Sequence, residues 1–309
     1  MKSDDIVITS AFRTAIGSFN GSLSSKTAPE LGSTVIKKCI ENSELKKEEV
    51  DMVYMGQVLT AGAGQNPARQ ASILAGLPHE TTNTTVNQVC GSGLASVALA
   101  YNSIKCGDGK LVIAGGQESM SNSPHYMNIR KGIKMGDGKL KDSMIIDGLW
   151  DVYNQYHMGI TAENVAEKFQ IRREEQDSFA AASQRKAAEA IKEKKFVNEI
   201  VPVKIKFKKE EIEFDKDEYP KAESTVEKLA KLRPAFKKDG TVTAGNASGV
   251  NDGAAAVCLM TGEMVKKKDI EPLAKIVSWA QCGVDPSIMG TGPIPASRLA
   301  LKKAGWDIK

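Results

Sequence analysis

A cysteine enters this chain on an apolar, β-prone run and leaves it on a glycine-serine-glycine step: Val86-Asn87-Gln88-Val89-Cys90-Gly91-Ser92-Gly93-Leu94-Ala95-Ser96. The small-residue stretch from Leu94 to Ile104 reads as a helix, which sets the Cys90 thiol at a helix N-terminus. Free N–H groups and the macrodipole there favour a thiolate, and the thiolate is the nucleophile. The flanking glycines permit turn dihedrals closed to other residues and let a substrate approach the sulfur. A cysteine without such a context is most simply a buried packing residue. The Gly-Ser-Gly neighbourhood makes Cys90 the candidate for covalent, nucleophilic catalysis.

The elements that would position Cys90 are short apolar runs alternating with helical patterns. Ile6-Val7-Ile8-Thr9 reads as a strand, Leu31, Val35, Cys39 and Ile40 share a helical face, and Met52-Val53-Tyr54-Met55 reads as a second strand. Leu111 to Gly116 reads as a buried strand ending in a glycine pair. Helices packed on continuous apolar strands predict a layered α/β fold. From about Ser119 the chain turns polar and irregular through residue 249. That stretch holds one long amphipathic helix from about Arg173 to Glu193 and a charged hairpin through Val203–Phe207 and Ile212–Phe214. It reads as an excursion from the core, which resumes at Ala254–Met260. After Glu271-Pro272 a fresh strand is expected at Leu273–Val277, then a helix with Ala296, Leu299, Ala300 and Ala304 on one face. This repeats the opening of the chain, so a second α/β unit is expected to begin there.

Composition narrows the function classes. At 309 residues, 41% hydrophobic and 26% charged, the chain reads as soluble and globular. It contains no apolar run of about 18 residues, so no membrane span or membrane partner is expected. Acids near Met1 replace the apolar stretch of a signal peptide. The five cysteines, Cys39, Cys90, Cys106, Cys258 and Cys282, are scattered without a C-x-x-C pair, which argues against disulfides and metal and for a reducing, cytoplasmic setting. Net charge is +4, and the lysines between Lys186 and Lys238 alternate with acids. They read as a solvated face, with contact to a polyanionic small molecule as the alternative and no support for nucleic acid.

Five segments, in order, resemble the thiolase family, and most closely its short-chain acetyl-CoA C-acetyltransferase branch. They are Val86–Ala95, Gly115-Gly116-Gln117-Glu118-Ser119-Met120-Ser121, His157–Asn164, Thr243–Ala254 and Gly283–Gly290. The resemblance spans the whole chain. It implies a five-layered α-β-α-β-α fold with residues 1–119 and 250–270 as the N-terminal domain. Residues 120–249 would be a loop domain over the coenzyme A site, and 271–309 the incomplete start of the C-terminal domain. It implies that Cys90 carries an acetyl group while two acetyl-CoA condense to acetoacetyl-CoA and CoA, or the reverse. His157 and Met158 would lie beside the acyl group, and Ser248 would bond the pantetheine. Leu149, Ala244, Ala247 and Met289 would line the tunnel, and Lys221 would stand where relatives often have Arg. Lys keeps the charge but lacks the planar fork.

Taken alone, Ser248 reads as a turn residue and His157 as a loop histidine. The acyl-site histidine favours the short-chain branch over the degradative 3-ketoacyl-CoA thiolases. A non-catalytic coenzyme A-binding fragment is the third reading. No resident cofactor or metal is implied, since coenzyme A thioesters are substrates. Ser123–Lys139 would be the loop that pairs dimers into homotetramers.

The family's second unit also supplies an Asn-Glu-Ala-Phe segment, a Gly-His-Pro histidine that activates the nucleophile, and an acid/base cysteine in a late Cys-Gly segment. His79, His125 and His157 lie in none of those contexts. The expectation is a fragment of a longer enzyme, weakly active and prone to aggregate by itself. Loss of an acid/base typically costs about 10²–10⁴-fold, and loss of an oxyanion donor about 10²–10³-fold.

Overall fold

In the computed structural model, which describes residues 1–43 and 45–308, the apolar runs become strands. Lys309, the last residue of the expected 271–309 segment, lies outside the described residues. The strands are β1 (Ile6–Thr14), β2 (Gly17–Ser18), β3 (Met52–Gly56), β4 (Thr82–Val86), β5 (Leu111–Ser119), β6 (His125–Tyr126), β7 (Lys141–Asp142), β8 (Trp150–Asp151), β9 (Tyr156–His157), β10 (Ile200–Val201), β11 (Val203–Phe207), β12 (Glu210–Phe214), β13 (Asn251–Thr261) and β14 (Ala274–Lys275). The helices are α1 (Ala28–Asn42), α2 (Pro67–Leu74), α3 (Ser92–Cys106), α4 (Met158–Lys168), α5 (Arg173–Lys192), α6 (Val226–Leu229), α7 (Gly262–Lys268) and α8 (Pro293–Ala304). Two compact units result. One comprises Met1–Gly148, Glu199–Glu218 and Val250–Ile276, the other Leu149–Asn198, Tyr219–Gly249 and Val277–Lys309.

The first unit is a mixed sheet in the order β10-β1-β13-β5-β3-β4, with β14 added on β1 and β2 on β13. β13 runs antiparallel to β1 and β5, while β5, β3 and β4 are parallel. Strand side chains alternate between faces, so each apolar run feeds two cores. Val53, Met55, Leu111 and Ile113 pack with Leu31, Val35 and Ile36 of α1 and Ala68 and Ala71 of α2. Met52, Tyr54, Val112 and Ala114 pack with Val97, Ala100, Tyr101 and Ile104 of α3. Each large side chain buried this way contributes about 1.5–3 kcal/mol. α1 starts where it does because Thr27 caps it reciprocally with Glu30, with Pro29 in the first turn. Gly115 is needed where β5 meets β13: a Cβ there would sit 2.0 Å from the Ala255 carbonyl oxygen.

The polar segments 120–148 and 199–218 belong to this unit because specific side chains tie them to it. Ser121 donates to Asp252 through N–H (2.9 Å) and Oγ (2.6 Å). Arg13 reaches Glu199 at 2.6 Å and grips Asp217 with both terminal nitrogens at 2.7 and 3.0 Å. Division by chemical character puts a boundary at residue 119, whereas packing follows these bonds. The strand expected over Leu273–Val277 is shorter than the sequence suggests: β14 holds only Ala274 and Lys275, paired to Ile8 and Val7 of β1. Backbone bonds to β1 run one residue further on each side, from Leu273 N–H to the Ile8 carbonyl at 2.8 Å and from Ile276 N–H to the Ile6 carbonyl at 2.9 Å.

The second unit is built on α4, α5 and α8, the β8–β9 hairpin and a tight helical turn, Pro286–Thr291. α5 matches the amphipathic helix read from the sequence, and β11–β12, in the first unit, is the charged hairpin.

Candidate active site

Cys90 is exposed and stands immediately before Gly91, the N-cap of α3. The cap provides no side-chain hydrogen bond, so no side-chain oxygen satisfies the first N–H groups of the helix. The turn leading to Cys90 is strained: Val89 has φ +47°, a region that β-branched residues avoid. Asn87 Oδ1 accepts the Val89 N–H at 2.9 Å. Ser92 Oγ donates to the Val89 carbonyl at 2.6 Å and accepts the Gln88 N–H at 2.9 Å. Gly56, at the end of β3, leaves room for this corner, since a Cβ there would lie 2.7 Å from Ser92 Cβ.

The other expected residues, Leu149, His157, Met158, Lys221, Ala244, Ala247, Ser248 and Met289, all fall in the second unit. His157 caps α4: its Nδ1 accepts the Gly159 N–H at 3.0 Å. An accepting Nδ1 leaves the proton of the neutral ring on Nε2, which is then a donor. Partial burial pushes the His157 pKa down, favouring that neutral form. The ring stacks on Phe236 with centroids 4.8 Å apart. Met158 is the first residue of α4 and is half-buried. Asn164, two turns along α4, donates to the Ser287 carbonyl at 2.9 Å and to Tyr156 Oη at 3.1 Å, which ties the turn carrying Met289 to α4.

Ala244 and Ser248 are exposed and Ala247 half-buried on a loop held by buried charge. Glu163 of α4, 5% exposed, accepts the N–H groups of Thr241 (2.9 Å) and Val242 (2.8 Å) and the Thr241 hydroxyl (3.0 Å). Asn246 accepts the Thr243 N–H at 2.7 Å and donates to Asp177 Oδ1 at 3.0 Å. Asp177, 1% exposed, pairs with Arg173 at 2.7 Å. Lys221 is exposed, its N–H bonded to Gln184 of α5 at 2.8 Å. Leu149 is half-buried at the end of the wide turn Met144–Leu149.

The second unit thus gathers His157, Met158 and Met289 on α4 and its attached turn, and hangs Ala244, Ala247 and Ser248 from α4 and α5. Sequence reasoning missed the supports Glu163, Asp177, Arg173 and Asn246. Their signals were an acid inside a helical motif and an i, i+4 Arg–Asp pair. Among the described residues, no three His, Cys, Asp or Glu side chains group as metal ligands would, and no helix is long and apolar enough to cross a membrane.

The model for the thiolase N-terminal domain matches residues 6–263, and that for the thiolase C-terminal domain matches 270–309. An acetyl-CoA acetyltransferase of Rhizobium meliloti strain 1021 is 58% identical over 308 residues, covering 100% of this chain and 78% of that protein. One from Shinella zoogloeoides is 55% identical over 308 residues, with the same coverage. The crystal structure of the Bacillus anthracis acetyl-CoA acetyltransferase superposes with a TM-score of 0.96 at 42% identity, covering 99% of this chain and 78% of that one.

Proposed function

The chain belongs to the thiolase family, and we propose that it acts there as an acetyl-CoA C-acetyltransferase, joining two acetyl-CoA into acetoacetyl-CoA and CoA and catalysing the reverse thiolysis. The observation that carries this reading is Cys90, exposed on a strained turn ahead of an uncapped helix. The Cys90 thiolate attacks the acetyl-CoA carbonyl, the tetrahedral adduct expels CoA as its thiolate, and the acetyl group rests on sulfur. In the second half-reaction the α-carbon of another acetyl-CoA, having lost a proton, attacks that thioester and Cys90 leaves. Covalent catalysis divides one difficult condensation into two easier steps.

In this reading His157 serves as a neutral Nε2–H donor at the acyl site and Met158 as an apolar wall beside it. Ser248 donates to the pantetheine, while Leu149, Ala244, Ala247 and Met289 line its path. Lys221 meets the phosphates as a point charge rather than a fork. Support comes from the exposure of Lys221, Ala244 and Ser248 and from the capping bond that fixes the imidazole tautomer. Proton transfer at the α-carbon needs a base. The histidine and second cysteine that the family uses have no counterpart in context among these 309 residues. Acetylation of Cys90 by acetyl-CoA removes no α-proton and is the step expected of Cys90 itself.

Homotetramers in the cytoplasm fit the reading. Segment 123–139 leaves Ile129, Ile133 and Met135 exposed, and five free thiols suit a reducing compartment. The test is to mix the purified chain with acetyl-CoA and read its intact mass. Gain of one acetyl group, lost in Cys90→Ser, is the expected result; no gain refutes the reading.

A further inference from the structure

The corner that carries Cys90 contains one residue in a conformation its side chain opposes. Val89 is β-branched, yet it sits at φ +47°, and such strain persists only where the surroundings over-determine it. Two side chains do so. Asn87 Oδ1 takes the Val89 N–H at 2.9 Å. Ser92, 4% exposed, uses its hydroxyl twice, donating to the Val89 carbonyl at 2.6 Å and accepting the Gln88 N–H at 2.9 Å. Both peptide groups of the strained residue are thereby fixed from either side of the nucleophile. Backbone bonds close the corner further: Gly91 N–H to Gln88 O at 3.0 Å and Ser92 N–H to Val89 O at 3.1 Å. Ser92 is itself seated against Gly56, where any added Cβ would collide with it.

We propose that Asn87 and Ser92 are positioning residues that hold Val89 in its strained turn and so fix the direction in which the Cys90 thiol faces its electrophile. Neither touches the sulfur; both act through the Val89 peptide. Released, Val89 relaxes to negative φ, and the following residue, Cys90, turns with it. The proposal rests on Cys90 being the nucleophile, but not on which acyl donor it meets.

The test follows the Cys90 peptide by mass, with two probes on the intact 309-residue chain. Iodoacetamide alkylates the thiolate, which forms a C–S bond as iodide leaves; acetyl-CoA acetylates it as CoA leaves. Asn87→Ala and Ser92→Ala are each expected to slow alkylation about tenfold, since displacing a reacting group by about an ångström costs of that order or more. Acetylation should slow at saturating acetyl-CoA, with the half-saturating concentration unchanged. Asn87→Asp, which keeps the acceptor oxygen, should restore both rates, an outcome that a purely structural role would not produce. Unchanged alkylation in folded Asn87→Ala overturns the proposal, as does failure of Asn87→Asp to recover it. Asn87 is exposed, so its variants report even if Ser92→Ala does not fold. Fast alkylation with no acetylation of the wild-type chain would refute the acetyltransferase reading, while the alkylation rates still judge the positioning residues.

Discussion

Around Cys90 the first unit relies on backbone: a strained valine, glycines where strands and helix touch, and peptide groups bonded at both ends. Around His157 and Ser248 the second unit relies on charge, with Glu163 and Asp177 almost wholly buried beneath the loop they hold. The first arrangement has no room for a methyl group at Gly56 or Gly115. The second fails when atoms are removed, because buried N–H groups lose their acceptors. A turn fixed by shape and a loop fixed by hydrogen bonds should therefore break under opposite substitutions.

The largest effect tests whether the first unit carries the chemistry at all. Cys90→Ser should lower acetylation and any thiolysis by at least about a thousandfold, since the covalent route is lost. Stopped assays with acetoacetyl-CoA measure it, and retained turnover would place the nucleophile elsewhere. Next, a single methyl should damage the first unit. Gly115→Ala drives a Cβ against the Ala255 carbonyl, and urea denaturation should register a loss of about 3 kcal/mol or more through overpacking. Removing atoms should damage the second unit comparably. Glu163→Ala strands three donors at about 1–3 kcal/mol each before relaxation, and a net loss near 3 kcal/mol is expected. If Glu163→Ala melts like wild type, the contrast between the units is wrong. Asn246→Ala should cost less, about 1–2 kcal/mol, because Asp177 keeps its Arg173 partner.

The smallest effect is one of pH. Burial holds the His157 pKa in the folded chain below its unfolded value. Its contribution is therefore complete above the unfolded value, near 6.5, and is lost as pH falls from there towards the folded pKa. Acid also takes the lone pair with which Nδ1 caps α4. In His157→Asn, the stability difference between pH 7 and pH 5.5 should shrink by a few tenths of a kcal/mol, the ring being only half-buried. An unchanged difference would mean that His157 does not sense pH in this range.

Much of the sheet was legible because period and burial agree. Ile6–Thr9, apolar up to its final threonine, and Met52–Met55, Leu111–Gly116 and Ala254–Met260 are runs of the kind that strands covered on both faces show, and each lies within a strand of the structure. α2 went unread although Asn66-Pro67 is a start signal, with Asn66 capping the Arg69 N–H. Eight residues gave too little periodicity to register. Cys90 was legible from its neighbours, whereas the strain at Val89 was not, since no residue type announces a conformation it disfavours. His157 and Ser248 were readable only through likeness to a family. Their supports, Glu163 and Asp177, are acids on helices that sequence alone assigns to solvent. The strand expected at Leu273–Val277 is narrower as a paired ladder, Ala274 and Lys275, although backbone bonds to β1 reach from Leu273 to Ile276.

β13 lies between β1 and β5 in the sheet, with Ile6 paired to Thr261. On a ribosome, β1, β3, β4 and β5 all emerge long before the strand that joins them. Until β13 arrives, the nascent chain carries a slot with two open edges, the kind of surface that captures wrong strands. Closure of such distant pairings is slow, so this protein should mature late and depend on a holdase while it waits. Ribosome-bound chains whose last exposed residue precedes Val250 should be cut readily by protease, and those that expose β13 in full should resist it.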